Sequence, residues 1–459
     1  MAANHYVRAG ATGNGSGSDW TNAAQALPAS LVRGDTYYVA AGNYSGHAFN
    51  DAGGSASAVI TVKAATVADH GTPTGWSDPF AGTAHFSGSV GAAIFEFRQP
   101  YYVIDGQARN PDWISGYGFH LNNTGCVTNN TVVSLGASNI TVRYTDVEGS
   151  HNRSGSCTDE SFQDFANGNI TVEYNYIHDN GEANFKLRGS STSSGSNGLV
   201  NFTVQNNYIA RNFSQGGSGV HSESMSVSDG VQNLVVRWNR FVDIDGTSVI
   251  ATASGSCYAG CPNFNRGNGP WYIYGNQWHF SATPPSSCAV GGFVSFFDVG
   301  FTGNVYVYSN TIGFINSTVC PQGSGGQAGV WIQAGPVAMQ TVVVQNNIWF
   351  NSDVAPPISF GGCGSPCSGT RIWDHNAYFG TTGSIGDPDP NKQVSSSNPF
   401  LNATGRDFHL ATDTSPWLVL ASPYNTDLDG NQRISSRGAF QFGAAASPTA
   451  PAGLAAIVH

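Results

Sequence analysis

Charged residues make up only 10% of this 459-residue chain, and lysine occurs just three times. A sequence so short of Lys, Glu and Arg lacks the residues that fill exposed helix faces, so long helices are not expected. No stretch approaches about 18 consecutive apolar residues, so no membrane-spanning helix is expected and no membrane partner is assigned. The opening "MAANHYVRAG" has neither the charged nor the apolar region of a leader peptide, and the chain is read as a secreted protein whose leader has been removed. Basic surplus is absent too. The formal charge of −11 argues against nucleic acid, and it would repel an acidic glycan unless basic groups or a metal were gathered locally.

What is abundant is glycine, at 58 residues, together with Ser, Thr and Asn, a β-rich and turn-rich composition. The eight cysteines include two close pairs, Cys257 with Cys261 and Cys363 with Cys367, without histidine at zinc-finger spacing. Disulfides and an oxidising, extracellular compartment are the better reading.

Lines such as "NITVRYTDVEG", "NITVEYNYIHD", "NFTVQNNYIAR", "NLVVRWNRFVD" and "TVVVQNNIWFN" share one grammar: an alternating strand, a polar corner holding Asn, and a short second strand. The corner residues Asn175, Asn207, Asn239, Asn276, Asn310, Asn347 and Asn376 are separated by 32, 32, 37, 34, 37 and 29 residues. That period means stacked repeats, and the alternation of Val, Ile, Tyr and Thr excludes helical or leucine-rich units. These repeats resemble the pectate-lyase-like right-handed parallel β-helix superfamily over roughly residues 34–442. The resemblance implies an all-β fold, a single-stranded right-handed parallel β-helix solenoid. In such a coil "NITVEY" is the second strand, Asn175 the corner, "YIH" the third strand and "NFKLRG" the first strand of the next turn. Residues 1–33 are read as a strand and a short N-terminal capping helix ("SDWTNAAQALPASL", capped by Ser18 or Asp19), and 443–459 as an Ala/Pro linker toward a further module. "DLDGN", at 427–431, is read as a glycine turn in preference to a calcium loop, since no Glu follows at the required spacing.

Between Arg143 and Arg240 lie 17 of the 47 charged residues. With Phe185 and Leu187 inward, Lys186 and Arg188 point outward from their strand. Reading "GVHSESMS" with Val220 and Ser222 inward puts His221 and Glu223 on the next coil beside them, with Asp159, Glu160 and Glu182 on flanking loops. Cleavage of a uronate-containing glycan by β-elimination needs a cation on the carboxylate and a base for the neighbouring proton. Lys186, Arg188, His221 and Glu223 are therefore the candidate catalytic residues, and Asp159, Glu160 and Glu182 the candidate ligands of a calcium cofactor. Arg211, Trp331 and Gln333 are candidate substrate contacts. The plain alternative is a row of cross-strand ion pairs that keeps the face soluble. A monomeric extracellular polysaccharide lyase is the reading. A glycoside hydrolase of the same fold and a non-catalytic glycan-binding or adhesive protein stand as alternatives.

Coil spacing also pairs the remaining cysteines, Cys126 with Cys157 at 31 residues and Cys288 with Cys320 at 32. Peptide mapping of the unreduced protein is expected to recover these two links together with Cys257–Cys261 and Cys363–Cys367; a Cys126–Cys363 link would contradict the coil register.

Overall fold

The computed structural model describes residues 2–444 except 90–92, 126–130, 152–159, 166, 189–198, 213–222, 229–230, 245, 253–268, 285–289, 297–302, 317, 320–329, 333–340, 353–357, 360–369 and 382–384. Among these residues there is no α-helix, and three long sheets carry the fold. Sheet 1 has ten strands, from His47–Phe49 to Ile358–Ser359; sheet 2 has twelve, from Asn4–Val7 to Thr370–Asp374; sheet 3 has twelve, from Gly42–Ser45 to Gln393–Ser395. One coil runs through Ala183–Arg188 in sheet 1, Val200–Gln205 in sheet 2 and Tyr208–Ala210 in sheet 3, and each strand pairs in parallel with its counterpart in the next coil. This is the expected parallel β-helix. Alternate residues, such as Phe185, Leu187, Phe202, Val204 and Ile209, are fully buried. They form one continuous core from Val7 to Tyr378.

The corner between sheets 2 and 3 is a two-residue turn. Its first residue has positive φ (Tyr174 58°, Asn206 55°, Trp238 55°), and its second is the repeating Asn. Each corner Asn from Asn175 to Asn376 is fully buried. The Nδ2 of one donates to the Oδ1 of the next at 2.9–3.1 Å from Asn175 through to Asn376. The same Nδ2 also donates to a strand carbonyl of the preceding coil, Val172 for Asn207 and Val204 for Asn239. The backbone N–H of Asn207 donates to Asn239 Oδ1 at 3.0 Å. Amide donors and acceptors are thus all used in the fully buried interior, where an unmet one is costly. Thr145 donates its backbone N–H to Asn175 at the first rung, and Asp387 Oδ2 accepts from Asn376 at the last. A second, solvent-facing ladder links Asn139, Asn169, Asn201 and Asn233 at 2.7–3.1 Å.

The N-terminal capping helix is not formed. Asp19 does accept the backbone N–H of Asn22 at 2.8 Å, but that bond closes a turn. The chain then hydrogen-bonds to the first strand, with Ala24 N–H to Tyr6 O at 2.9 Å and Arg8 N–H to Ala24 O at 2.8 Å. An Asx turn offered the backbone a local alternative to helix. Fully buried Trp20, packed on Tyr6 and Trp76 with ring centroids 5.0 and 5.1 Å away, closes this end instead. At the other end, Phe400, Phe408, Leu428 and Phe440 pack over the outside of the later coils against Trp238, Tyr274 and Phe350. "DLDGN" is a turn, with Asp427 Oδ1 accepting from Asp429 N–H at 3.0 Å and Asn431 N–H at 2.6 Å and Gly430 at φ 86°. All eight cysteines and the segment 445–459 lie outside the described residues.

Replacing Asn239 with Ala orphans partners on two neighbouring rungs and is expected to cost about 3 kcal/mol or more, at about 1–3 kcal/mol for each unmet buried group. Asn201→Gly, on the exposed ladder at a φ of 60°, is expected to cost less than about 1 kcal/mol, since water replaces the lost bonds. Urea denaturation of the two variants checks the contrast.

Candidate active site

On the outer face of sheet 1, Glu96, Ser134, Gln163, Lys186 and Ser226 stand opposite one another in successive strands. All five are half-buried, so the row is open to solvent along this stretch, whereas the next two members, Ala251 and Ser295, are fully buried. Lys186 and Arg188 occupy the half-exposed positions that alternation assigns them. Lys186 Nζ bonds Glu160 Oε1 and lies 3.4 Å from Glu182 Oε1. The side chain of Glu160 is only 3% exposed, so its charge is compensated by the lysine and not by bulk water. Thr131 Oγ1 lies 3.3 Å from Gln163 Oε1, in the preceding coil of the same face.

The structure therefore brings together Lys186, Glu160, Glu182 and Arg188 from the expected set. Glu223 is displaced from its expected place. The strand begins at Met225, with Met225 and Val227 fully buried and Ser226 opposite Lys186; Glu223 is buried ahead of it. Met225 and Val227 take the core positions of this strand, and Val220 and Ser222 lie outside the described residues. Trp331 lies in the strand Val330–Ile332, in register with Ser295 of the same row. Asp159, His221 and Gln333 lie outside the described residues.

Arg211 belongs to another cluster, on the outer face of sheet 3. Its Nε and Nη2 hold Asp179 at 2.8 and 2.6 Å, and Nη2 reaches Tyr176 Oη at 2.6 Å. His178 lies between two carboxylates, Nε2 to Asp146 Oδ1 at 2.8 Å and Nδ1 to Asp179 Oδ2 at 2.6 Å, with its ring stacked 3.9 Å from that of Tyr176. Burial works against charge on His178, but the bonds to Asp146 and Asp179 outweigh it and hold the ring above the ordinary histidine value. Burial likewise opposes the charge of Asp179, yet Arg211 and His178 hold it well below the usual carboxylate range. Glu148 takes two further histidines, His120 at 2.9 Å and His151 at 2.7 Å, and is itself held well below that range by them. Because Asp179 through Glu182 is the whole link from Tyr176–His178 to Ala183–Arg188, the two clusters flank a single corner. The sequence reading missed Tyr176 and His178, although applying alternation about Ile177 in "YIH" would have placed both outward.

A third group of charges runs along sheet 2. Arg143 Nη2 bonds Asp105 at 2.8 Å, Gln205 bonds Glu173 at 2.6 Å, and Arg237 bonds Gln205 at 2.7 Å. This row is a cross-strand pairing of the kind that supports a sheet. Elsewhere Asp374, His375 and Asp389 offer donor atoms within 4.8 Å of one another, the group of three that could hold a metal among the described residues.

No protein-family model matches the sequence, and no curated protein matches it. Among solved structures the chain is similar to pectate lyase Pel9A, with 13% identity and a TM-score of 0.47 over 96% of this chain and 98% of that one. It is similar to a PL6 family polysaccharide lyase from Pseudopedobacter saltans, with 13% identity and a TM-score of 0.44 over 86% and 94%. It is also similar to the catalytic unit of a thermostable GH87 alpha-1,3-glucanase from Streptomyces thermodiastaticus, with 13% identity and a TM-score of 0.36 over 80% and 65%. Such distant likenesses give no residue a role.

A histidine held above its ordinary value takes up its proton on folding. The stabilisation from His178 is therefore complete below about pH 6.5 and is lost as pH rises through the raised value. The gap in melting temperature between the wild type and His178→Gln is expected to be wider at about pH 6 than at about pH 9. An equal gap at both would mean the ring folds in its neutral form.

Proposed function

We propose that this protein is an extracellular polysaccharide lyase that cleaves a uronate-containing glycan by β-elimination on the outer face of sheet 1. The observation that carries the reading is Lys186, one of three lysines in the chain, held between Glu160 and Glu182 on an open row with Arg188 two residues along the same strand. Lys186 is assigned the base that removes the proton beside the uronate carboxylate. Lys186 must shed its proton before the step and act as the neutral amine; the ammonium re-formed when it takes the proton is the form that Glu160 and Glu182 hold. Arg188 is assigned the carboxylate clamp, for which the planar guanidinium fork is suited. Local cations of this kind make an acidic glycan acceptable to a chain of charge −11, because the field of the groove governs approach more than the total does.

Glu160 and Glu182 both reach one ammonium, and two hard oxygen donors converging on a single cation are a donor set that fits calcium. With Asp159 they are the residues that would hold it. Bound calcium would supply positive charge against the uronate carboxylate.

Alginate, pectate, glucuronan and glycosaminoglycans, each offered with and without calcium, should include one that yields the ultraviolet absorbance of unsaturated uronate ends. New reducing ends without that absorbance would replace this reading with hydrolysis; binding without cleavage would replace it with recognition alone. Truncating Lys186 is not the neutral surface change that a purely outward residue would permit, because Glu160 is buried. Lys186→Met is expected to cost about 1–3 kcal/mol. Lys186→Arg keeps the positive charge yet cannot give up its proton, so turnover should fall at least about a hundredfold with the melting temperature nearly unchanged. Wild-type turnover in that variant would remove Lys186 from the chemistry.

A further inference from the structure

We propose that His85 and His120, on the outer face of sheet 3, form a binding site for a transition-metal dication of the zinc, nickel or copper class. The two residues stand opposite each other in the adjacent strands Ala84–Ser87 and Phe119–Asn122. Phe86 and Leu121 occupy the core positions beside them, so both imidazoles project outward. Their Nδ1 atoms face each other at 2.9 Å, with ring planes at 78°. Such a contact brings two nitrogen donors to one point. A tetrahedral ion about 2.0–2.1 Å from each donor would set them about 3.3 Å apart, so an opening of a few tenths of an ångström admits it.

The arrangement behind the pair is the one a metal ligand needs. His120 Nε2 lies 2.9 Å from Glu148 Oε2. That carboxylate is placed to accept a hydrogen from Nε2, and this tautomer leaves the His120 Nδ1 lone pair turned toward His85. In the metal-free pair one Nδ1 donates to the other, and His85, the exposed partner, presents its own Nδ1 lone pair to an ion by moving that hydrogen to Nε2, which faces solvent. His85 is exposed, so an ion reaches the pair from solvent, and water completes the coordination. Asp146 follows in the same row, opposite His120, and is committed to His178 at 2.8 Å; its charge adds to the field that favours a cation. Imidazole donors favour zinc, nickel and copper over calcium. The site is thus distinct in place and in chemistry from Glu160 and Glu182.

The test is calorimetric titration of the chelator-treated protein with zinc chloride, with calcium chloride as the contrast. Melting temperature is read in parallel, and His375→Ala serves as the background so that the Asp374, His375 and Asp389 group does not contribute. One equivalent of zinc should bind and raise the melting temperature, and calcium should not displace it. His85→Ala, at an exposed position, should abolish that equivalent while retaining the wild-type circular dichroism spectrum. Glu148→Gln, which removes the orienting carboxylate, should weaken binding about 10- to 100-fold. Failure of zinc to bind, or a zinc isotherm unchanged by His85→Ala, would leave the pair as a cross-strand hydrogen bond and overturn the proposal.

Discussion

Through the middle and later coils of this solenoid, outward side chains take their places from one repeated contact, the buried amide of a corner asparagine bonded to the amide one coil away. Seven such residues lie in a line from Asn175 to Asn376, each fully buried. Parallel strands alone tolerate slippage, because a shift by two residues keeps the same faces inward. The asparagine ladder removes that freedom, since a coil out of phase would bury amides without partners. With phase fixed at the corner, Lys186 lies opposite Gln163 and Ser226. Chemistry on the exterior is therefore a consequence of hydrogen bonding in the interior.

The concentration of charge between Arg143 and Arg240 divides among the three faces. On sheet 2 it is a zipper in which Arg143 reaches back to Asp105, and Glu173 and Arg237 are joined through the amide of Gln205. On sheet 3 it forms the histidine and carboxylate network of Glu148, His178 and Asp179 with Arg211. On sheet 1 it leaves the smaller group around Lys186. A count along the chain adds these together, whereas the fold distributes them over three different sheets. The structural explanation for charge holds on sheet 2, and the functional one rests on the far sparser sheet 1.

Fold and site were legible in the sequence to different depths, for physical reasons. The asparagine corners and the alternation of Phe185 and Leu187 with Lys186 and Arg188 are short-range patterns that repeat, and they gave the coils and the outward pair correctly. The phase of the next strand was not legible. In "GVHSESMSVS" the apolar residues Val220, Met225 and Val227 are of mixed parity, and only packing against Phe185 selects Met225. The N-terminal helix failed because a capping aspartate serves a turn as readily as a helix, and Tyr6 and Arg8 competed for the backbone of Ala24. The stacking of His85 on His120, 35 residues away, needs a register that no local pattern contains.

The ends of the inner ladder differ from its middle, and this constrains how such a chain can change length. Thr145 begins the series with a backbone donor and Asp387 ends it with a carboxylate, so every interior rung is interchangeable in hydrogen bonding while the terminal ones are not. A duplicated coil carrying its own asparagine could enter between any two rungs and leave each amide satisfied. The same segment added beyond Asp387 would meet a group that accepts but does not donate. Growth of the ladder is therefore quantised in whole coils and directed to its interior, and an exterior row of side chains beside it lengthens only by the same unit.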